Sequence, residues 1–271
     1  MDLNKSTIEK LQSMNLEKDQ WMINWIGQGG FVFKTSKGKV ICIDPYLSNS
    51  VEKFEGIGTR RMWFPSFPLA VFRPDVVICT HDHLDHTDPE TLPLIAAYSK
   101  ALFLGPTTSY EHMKAMNIDE ARLKVFNRED IYQGEDFKLR AVYAQHTSDS
   151  IGILLETHDL KIYITGDTEE SERLYALKDE KIDILITCIN GKLGNMNAQE
   201  ACKLAQHLEV KHVIPMHYGL IPSNTVDLDE FNRICSKKGL NQWLLVPEIN
   251  YICKMAAIEQ GVQGLTIERI Y

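Results

Sequence analysis

Residues 78–89 read ICTHDHLDHTDP, which sets three histidines and three aspartates within a dozen positions. The cluster follows directly on DVVICT (75–80), whose β-branched content marks a buried strand. His81-x-His83-x-Asp85-His86 therefore sits on a turn where regular structure has just ended. Such a turn can present His81 and His83 to one ion while Asp85 and His86 reach a second beside it. Neutral imidazoles suit Zn, Mn, Fe or Ni, and the carboxylate adds charge and a harder oxygen. Asp82 and Asp88 read as turn and N-cap groups, with Asp88-Pro89 opening a helix to about Ser99 whose first turn Pro93 makes irregular.

A second ion needs ligands from elsewhere in the chain, and they should also stand just past strand ends. Three residues do: His146 in YAQHTSDS after LRAVYAQ, Asp167 in ITGDTEES after KIYITG, and His217 in IPMHYGL after KHVIPM. Taken singly, each is more ordinarily a surface, capping or turn residue. Together with the cluster they form a pattern that reverses those odds. His112, His158, His207 and His212 fit no part of it and read as ordinary surface or helix residues.

Outward from the cluster, WMINWIGQGGFVFKTSKGKVICIDPYL predicts a meander with strands over 21–26, 31–35 and 39–43. Residues 6–16 form a short amphipathic helical segment, and 50–72 have no clean period and read as a long loop of the functional kind. Strands are predicted over 101–104, 122–126, 137–144, 151–156, 160–165, 183–188, 211–216 and 242–246. Helices are predicted over 107–116, 170–178, 198–208 and 227–237, the third opened by a capping box at Asn197-Ala198-Gln199-Glu200. A strand-rich first half followed by alternating helices and strands predicts two packed sheets with helices outside. The whole of 1–271 is read as one domain with a helical N-terminal extension over 1–20.

The bulk composition narrows the function classes. With 271 residues, 44% of them hydrophobic, the chain can bury a large shared core. A net charge of −8 disfavours nucleic acid as a partner, since there is no basic excess to replace its counterions. No stretch has the length and apolarity of a membrane span or a signal peptide, so a cytoplasmic protein is expected. The six cysteines are scattered without a C-x-x-C pair and read as reduced, buried thiols.

The order H-x-H-x-D-H, then His146, then Asp167 in TGDT, then His217 in PMHYG resembles the metallo-β-lactamase superfamily. The resemblance runs from Trp25-Ile26-Gly27-Gln28-Gly29-Gly30 and the Asp44-Pro45-Tyr46-Leu47 turn to His217. Within the superfamily the W-x-G-Q-x-G-F opening (Trp25 to Phe31), the T-H-D-H-x-D-H core (Thr80 to His86) and the Gly166-Asp167 turn look most like the L-ascorbate-6-phosphate lactonase branch. The resemblance implies an α/β fold, a four-layer αββα sandwich, with a dinuclear site at the edge between the sheets. It also implies His81, His83 and His146 on one metal, Asp85, His86 and His217 on the other, and Asp167 bridging. Two divalent ions, Mn or Zn, would then activate a bridging hydroxide as nucleophile, with Asp85 as the catalytic residue that orients it.

The expected function is a metal-dependent hydrolase of a small anionic lactone or ester, with L-ascorbate 6-phosphate as the substrate the branch implies. Arg60, Arg61 and Lys192 are candidates to clamp a substrate phosphate, and Tyr218 to donate a hydrogen bond, each against a solvated-surface or packing role at least as favoured. The alternative is a dinuclear phosphodiesterase acting on a phospholipid or nucleotide, with the Phe64, Phe67 and Phe72 segment as a lipid contact or, more simply, core or lid. A di-iron redox or binding protein on the same fold carries less weight. A homo-oligomer is compatible with the amphipathic N-terminal segment.

Overall fold

In β1 (Gln20–Gly27) every residue after Gln20 is buried, yet the run still alternates. Trp21, Ile23 and Trp25 face one apolar cluster while Met22 and Ile26 face another. A strand covered on both faces needs apolar residues at both parities. The same rule holds in β2 (Gly30–Lys34), β3 (Val40–Ile43), β4 (Val76–Ile78) and β5 (Leu102–Gly105). There Phe31, Phe33, Ile41, Ile43, Val76, Ile78 and Leu104 turn inward, and Val32, Val40, Cys42, Val77 and Phe103 turn outward. These assignments come from a computed structural model, which describes residues 5–158, 160–210, 212–246, 249–258 and 262–270.

β1, β2 and β3 pair antiparallel, and from β3 the sheet continues in parallel through β4 and β5 to β6 (Leu123–Val125). The second sheet runs in chain order from β7 (Ile131–Gln133) through β8 (Lys138–Tyr143), β9 (Ile151–Glu156), β10 (Lys161–Ile164), β11 (Ile184–Cys188) and β12 (His212–Met216) to β13 (Asn241–Gln242). It is antiparallel as far as β10 and parallel beyond. β14 (Tyr251–Ile258) and β15 (Val262–Arg269) return to the first sheet beside β1, giving it the order β15-β14-β1-β2-β3-β4-β5-β6.

The first sheet is covered outside by α1 (Thr7–Ser13), α3 (Thr91–Tyr98) and α4 (Thr107–Ala115). Their Ile8, Leu11, Leu92, Ile95 and Met113 share a cluster with the outward residues of β1 to β5. The second is covered by α5 (Ala198–His207) and α6 (Leu228–Lys237), which bury Ala201, Leu204, Phe231 and Ile234. A short α2 (Ser50–Glu55) buries Val51 in a separate small cluster with Tyr46, Leu220 and Ile221. The architecture is a four-layer αββα sandwich. α5 opens on the expected box: Asn197 Oδ1 accepts from the Gln199 and Glu200 amides, and Glu200 Oε2 accepts from the Asn197 amide. α1 is closed by a buried lysine, Lys34, whose Nζ donates to the carbonyls of Leu11, Gln12 and Met14 at 2.9, 2.6 and 2.6 Å.

Several sequence expectations change. Residues 50–72 are not a featureless loop: they hold α2 and two 3-10 turns, Ile57–Thr59 and Leu69–Val71. Phe72 is fully buried in the core, the half-buried Phe67 packs edge-on against it at 5.7 Å, and of the three rings Phe64 is the exposed one. α3 begins at Thr91 rather than at Pro89. Asp88 is buried and accepts from the Leu47 amide and the Ser48 and Thr91 hydroxyls, so it ties the helix start to the turn after β3. The helix expected over 170–178 is a 3-10 helix, Glu172–Glu180, and the strand expected over 242–246 shortens to β13. Residues 1–4 of the expected extension and residue 211 of the expected strand lie outside the described residues. All six cysteines are buried and free. Among the described residues no helix is long and apolar enough to cross a membrane.

Candidate metal centre

The ends of β4, β8, β10 and β12 come together at one edge between the sheets, and each releases a polar residue there: His81, His146, Asp167 and His217. The Ile151 amide, which opens β9, donates to the Thr80 carbonyl at 3.0 Å and ties the two sheets at this edge. After His81 the chain turns at once. The amides of His86 and Thr87 both donate to the His83 carbonyl, and the Thr87 hydroxyl donates to the His81 carbonyl, which folds His83, Asp85 and His86 back over the strand end.

This turn and the other strand ends bring together three overlapping groups, His81/His83/His146, His81/His86/Asp167 and Asp85/His86/His217. Within each group one N or O atom per residue lies within 4.8 Å of the others. The inner distances are short. His217 Nε2 is 3.2 Å from His86 Nε2, and His146 Nε2 is 3.2 Å from His83 Nδ1. Asp167 lies between the groups. Its Oδ1 is 2.7 Å from His217 Nε2 and 3.5 Å from His86 Nε2, and its Oδ2 is 3.8 Å from His146 Nε2.

Whether these residues fit divalent ions can be tested on their unused atoms. His81 Nε2 is buried with no hydrogen-bond partner, and so is Asp167 Oδ1, 2.7 Å from His217 Nε2. Unpaired buried acceptors are costly, and several lone pairs converging on one point are what a cation relieves. The outer ring atoms are held. His86 Nδ1 is 2.7 Å from Asp44 Oδ2, and His146 Nδ1 is 3.0 Å from the Gly194 carbonyl, so each ring carries its proton outside and turns Nε2 inward. Borderline-soft imidazoles with carboxylates suit Zn, Mn or Fe. The residues fit.

Burial and charge divide the titrating groups. Burial, with the neighbouring His86, holds the His81 imidazolium far below its ordinary range, and burial also lowers His146. Burial works against His86 as well, but Asp167, Asp44 and Asp85 together outweigh it and raise that histidine well above the ordinary value. Burial would raise Asp167, yet His217 and His86 hold its carboxyl well below the usual range.

A supporting set escaped the sequence reading. Asp44 Oδ1 accepts from the Thr80 amide and Oδ2 from the Thr80 hydroxyl, both at 2.7 Å, which aims the carboxylate at His86. Gln28 Nε2 donates to Asp85 Oδ2 at 3.0 Å, and its carbonyl accepts from the His217 amide and the Trp25 indole. Asn195 Nδ2 donates to Asp167 Oδ2 at 2.9 Å. Gln28, Asp44 and His217 have left-handed backbones with φ of 49°, 46° and 62°, a strain of roughly 1–3 kcal/mol each that the packed surroundings hold in place. Gly29 is required by contact: a Cβ there would stand 2.8 Å from His86 Cε1. Asp44 and Gln28 lay inside the quoted turn and strand-end motifs, but nothing in sequence paired them with His86 or Asp85.

The centre opens into a cavity of about 620 Å³, within the ordinary range for small-molecule sites. His83, Asp85, His146 and Asp167 lie on its floor, and His112 and Asp82, read from sequence as a surface residue and a turn residue, line it as well. The four proposed substrate contacts do not line it. Arg61 is buried: its Nη1 donates to the carbonyls of Tyr46 and Ser48 and its Nε to that of Trp63, so it braces the segment after β3. Burial pulls its pKa down to about 10. Arg60 is exposed beside Glu52, Lys192 Nζ caps the carbonyls of Ser223 and Thr225, and the Tyr218 hydroxyl donates to the Leu245 carbonyl while its ring stacks on Trp25.

Residues 22–217 match the family model described as the beta-lactamase superfamily domain. A metal-dependent hydrolase from Oenococcus oeni is 28% identical over 225 residues, covering 77% of this chain and 90% of that protein. Among solved structures, a metallo hydrolase from the hyperthermophilic archaeon Ignicoccus hospitalis superposes with a TM-score of 0.70 at 19% identity, covering 88% of this chain and all of the other. An isothiocyanate hydrolase from Delia radicum gut bacteria gives a TM-score of 0.70 at 18% identity, covering 84% and 98%. These two structural likenesses speak to the fold.

Proposed function

Because the chain belongs to the beta-lactamase superfamily, we propose that it is a metal-dependent hydrolase that opens a small ester or lactone at the edge between its sheets. The observation that carries this reading is the convergence of imidazole and carboxylate atoms around Asp167, whose two oxygens face two different histidine groups and whose Oδ1, like His81 Nε2, is buried without a hydrogen-bond partner. In the proposed assignment His81, His83 and His146 would hold one divalent ion, Mn or Zn. Asp85, His86 and His217 would hold the other, with Asp167 placed to serve both. Such ions supply water that ionises near neutral pH and polarise the substrate's reacting oxygen.

The chain's own groups do the rest. Asp44 and the Gly194 carbonyl fix the tautomers of His86 and His146, so that both rings enter the reaction already oriented. Asp85 lines the cavity with one oxygen held by Gln28. Its other oxygen, Oδ1, takes the proton of the attacking water and returns it to the departing alkoxide. The W-x-G-Q-x-G-F and T-H-D-H-x-D-H motifs favour lactonase chemistry within this reading, and the lining of the cavity bears on whether its substrate carries the phosphate of the ascorbate-phosphate branch.

The test strips metal from the protein, resupplies Mn or Zn, and follows hydrolysis of aryl esters, simple γ-lactones and L-ascorbate 6-phosphate, with Asp85→Asn alongside. Metal-dependent turnover lost in the variant is expected. Stoichiometric metal binding with no turnover on any of these substrates defeats the reading.

A further inference from the structure

Beyond the proposed ligands, the lining of the cavity sorts by chemistry. Val51, Leu84, Leu193 and Ile221 are apolar, Glu55 and Asp82 are acidic, and among the described residues that line it none is Lys or Arg. The apolar side is built rather than incidental. Val51 and Ile221 are buried in a small cluster with Tyr46 and Leu220, and Leu84 and Trp63 pack against it. The cations of the adjoining segments bond elsewhere: Arg61 to three backbone carbonyls, Lys192 to two, and the exposed Arg60 pairs with Glu52.

Resting on the hydrolase reading, we infer that this wall selects an uncharged substrate with an apolar arm, an alkyl- or aryl-substituted lactone or ester, and rejects one carrying a phosphate or carboxylate there. A distal anion would leave water for a wall without Lys or Arg, where Glu55 and Asp82 stand against it and His112 is the one lining imidazole outside the proposed ligand set. An alkyl or aryl arm instead covers Leu84 and Leu193, backed by the buried Val51 and Ile221, and each methylene buried there raises kcat/KM by about fourfold until the wall is filled. The sequence expectation of an anionic substrate thus meets a wall of the opposite preference.

The experiment uses the full metal-loaded chain and a matched panel: γ-lactones with side chains from methyl to hexyl, and the same lactones ending in phosphate or carboxylate. Binding of the whole panel is read in parallel by saturation-transfer NMR. Expected are a rise in kcat/KM with chain length and at least a roughly tenfold deficit for the anionic members. Glu55→Lys and Leu193→Lys should narrow that deficit. Anionic members that are turned over or bound better by the wild-type chain overturn the inference while leaving the hydrolase standing. A panel that binds in the expected order without turnover defeats the hydrolase reading and leaves the wall's preference supported.

Discussion

Asp44 Oδ2 lies 2.7 Å from His86 Nδ1, with both side chains at most 1% exposed, and the carboxylate is aimed by two bonds from Thr80. The pair fixes which nitrogen of His86 carries the proton and leaves Nε2 facing Asp167 and His217. Asp44→Asn keeps the size but removes the charge and lets the amide present a donor to the ring. Metal affinity should fall by about 10- to 100-fold, the usual cost of losing such a partner, as measured by competition with a chromophoric chelator. Unchanged affinity would remove Asp44 from the site.

The raised pKa of His86 makes a signed prediction for the metal-free chain. Above about pH 6.5 the unfolded histidine is neutral while the folded one keeps its proton, so folding takes up a proton. That contribution is complete below pH 6.5 and is lost as pH rises through the raised value. The lowered groups do not offset it. His81 and His146 give their full contribution above about pH 6.5, and Asp167 changes only at acid pH below its ordinary carboxylate range. Metal-free protein should therefore lose stability above pH 6.5, with a slope of up to about 1.4 kcal/mol per pH unit. Bound metal, which needs the neutral ring, should abolish the slope. Urea melts across pH 6–7.5 with and without metal, below the range where the buried thiols add a slope of the same sign, read this, and a rising slope in the metal-free series sinks the assignment.

The proposed ligand residues were legible in sequence because each stands where an apolar run stops, and β4, β8, β10 and β12 were marked by their β-branched cores. Distance along the chain hid their supports. Asp44 lies 42 residues from His86, Gln28 57 from Asp85 and Asn195 28 from Asp167, and short polar residues in turns look alike until the fold pairs them. Arg61 misled for the opposite reason. A cation in an irregular stretch reads as a substrate clamp, but α2 and the 3-10 turns bury it among carbonyls. β7, β14 and β15 lie outside the strands that the sequence predicts, and β7 is a three-residue strand without a buried position.

Gly194 tests how the loop after β11 holds His146. Its φ is +81°, and an added Cβ would stand 2.9 Å from His146 Nδ1, the atom that bonds the Gly194 carbonyl. Gly194→Ala should cost roughly 1–3 kcal/mol through backbone strain, a fall in Tm of about 2–10 °C. It should also weaken one ion selectively, because His146 belongs to only one of the two proposed sets. Metal content by elemental analysis after mild dialysis, with calorimetry for Tm, separates the two effects. Full occupancy of both ions at a lowered Tm would leave the loop a structural role only.

Asp85 is the residue on which ligation and proton transfer are proposed to meet, and substitution can separate them. Its side chain is 15% exposed at the cavity floor, with Oδ2 held by Gln28 and Oδ1 3.9 Å from His86 Nε2. Asp85→Asn keeps an oxygen for the ion and for Gln28 but cannot accept the water's proton. kcat should fall by about 10²- to 10⁴-fold, the ordinary worth of a positioned general base, while KM and Tm change little. Asp85→Ala removes the ligand as well and should lose metal together with activity. If the asparagine variant instead loses metal and recovers turnover when Mn or Zn is raised to saturation, Asp85 acts as a ligand alone, and the proton must leave through another group on the floor.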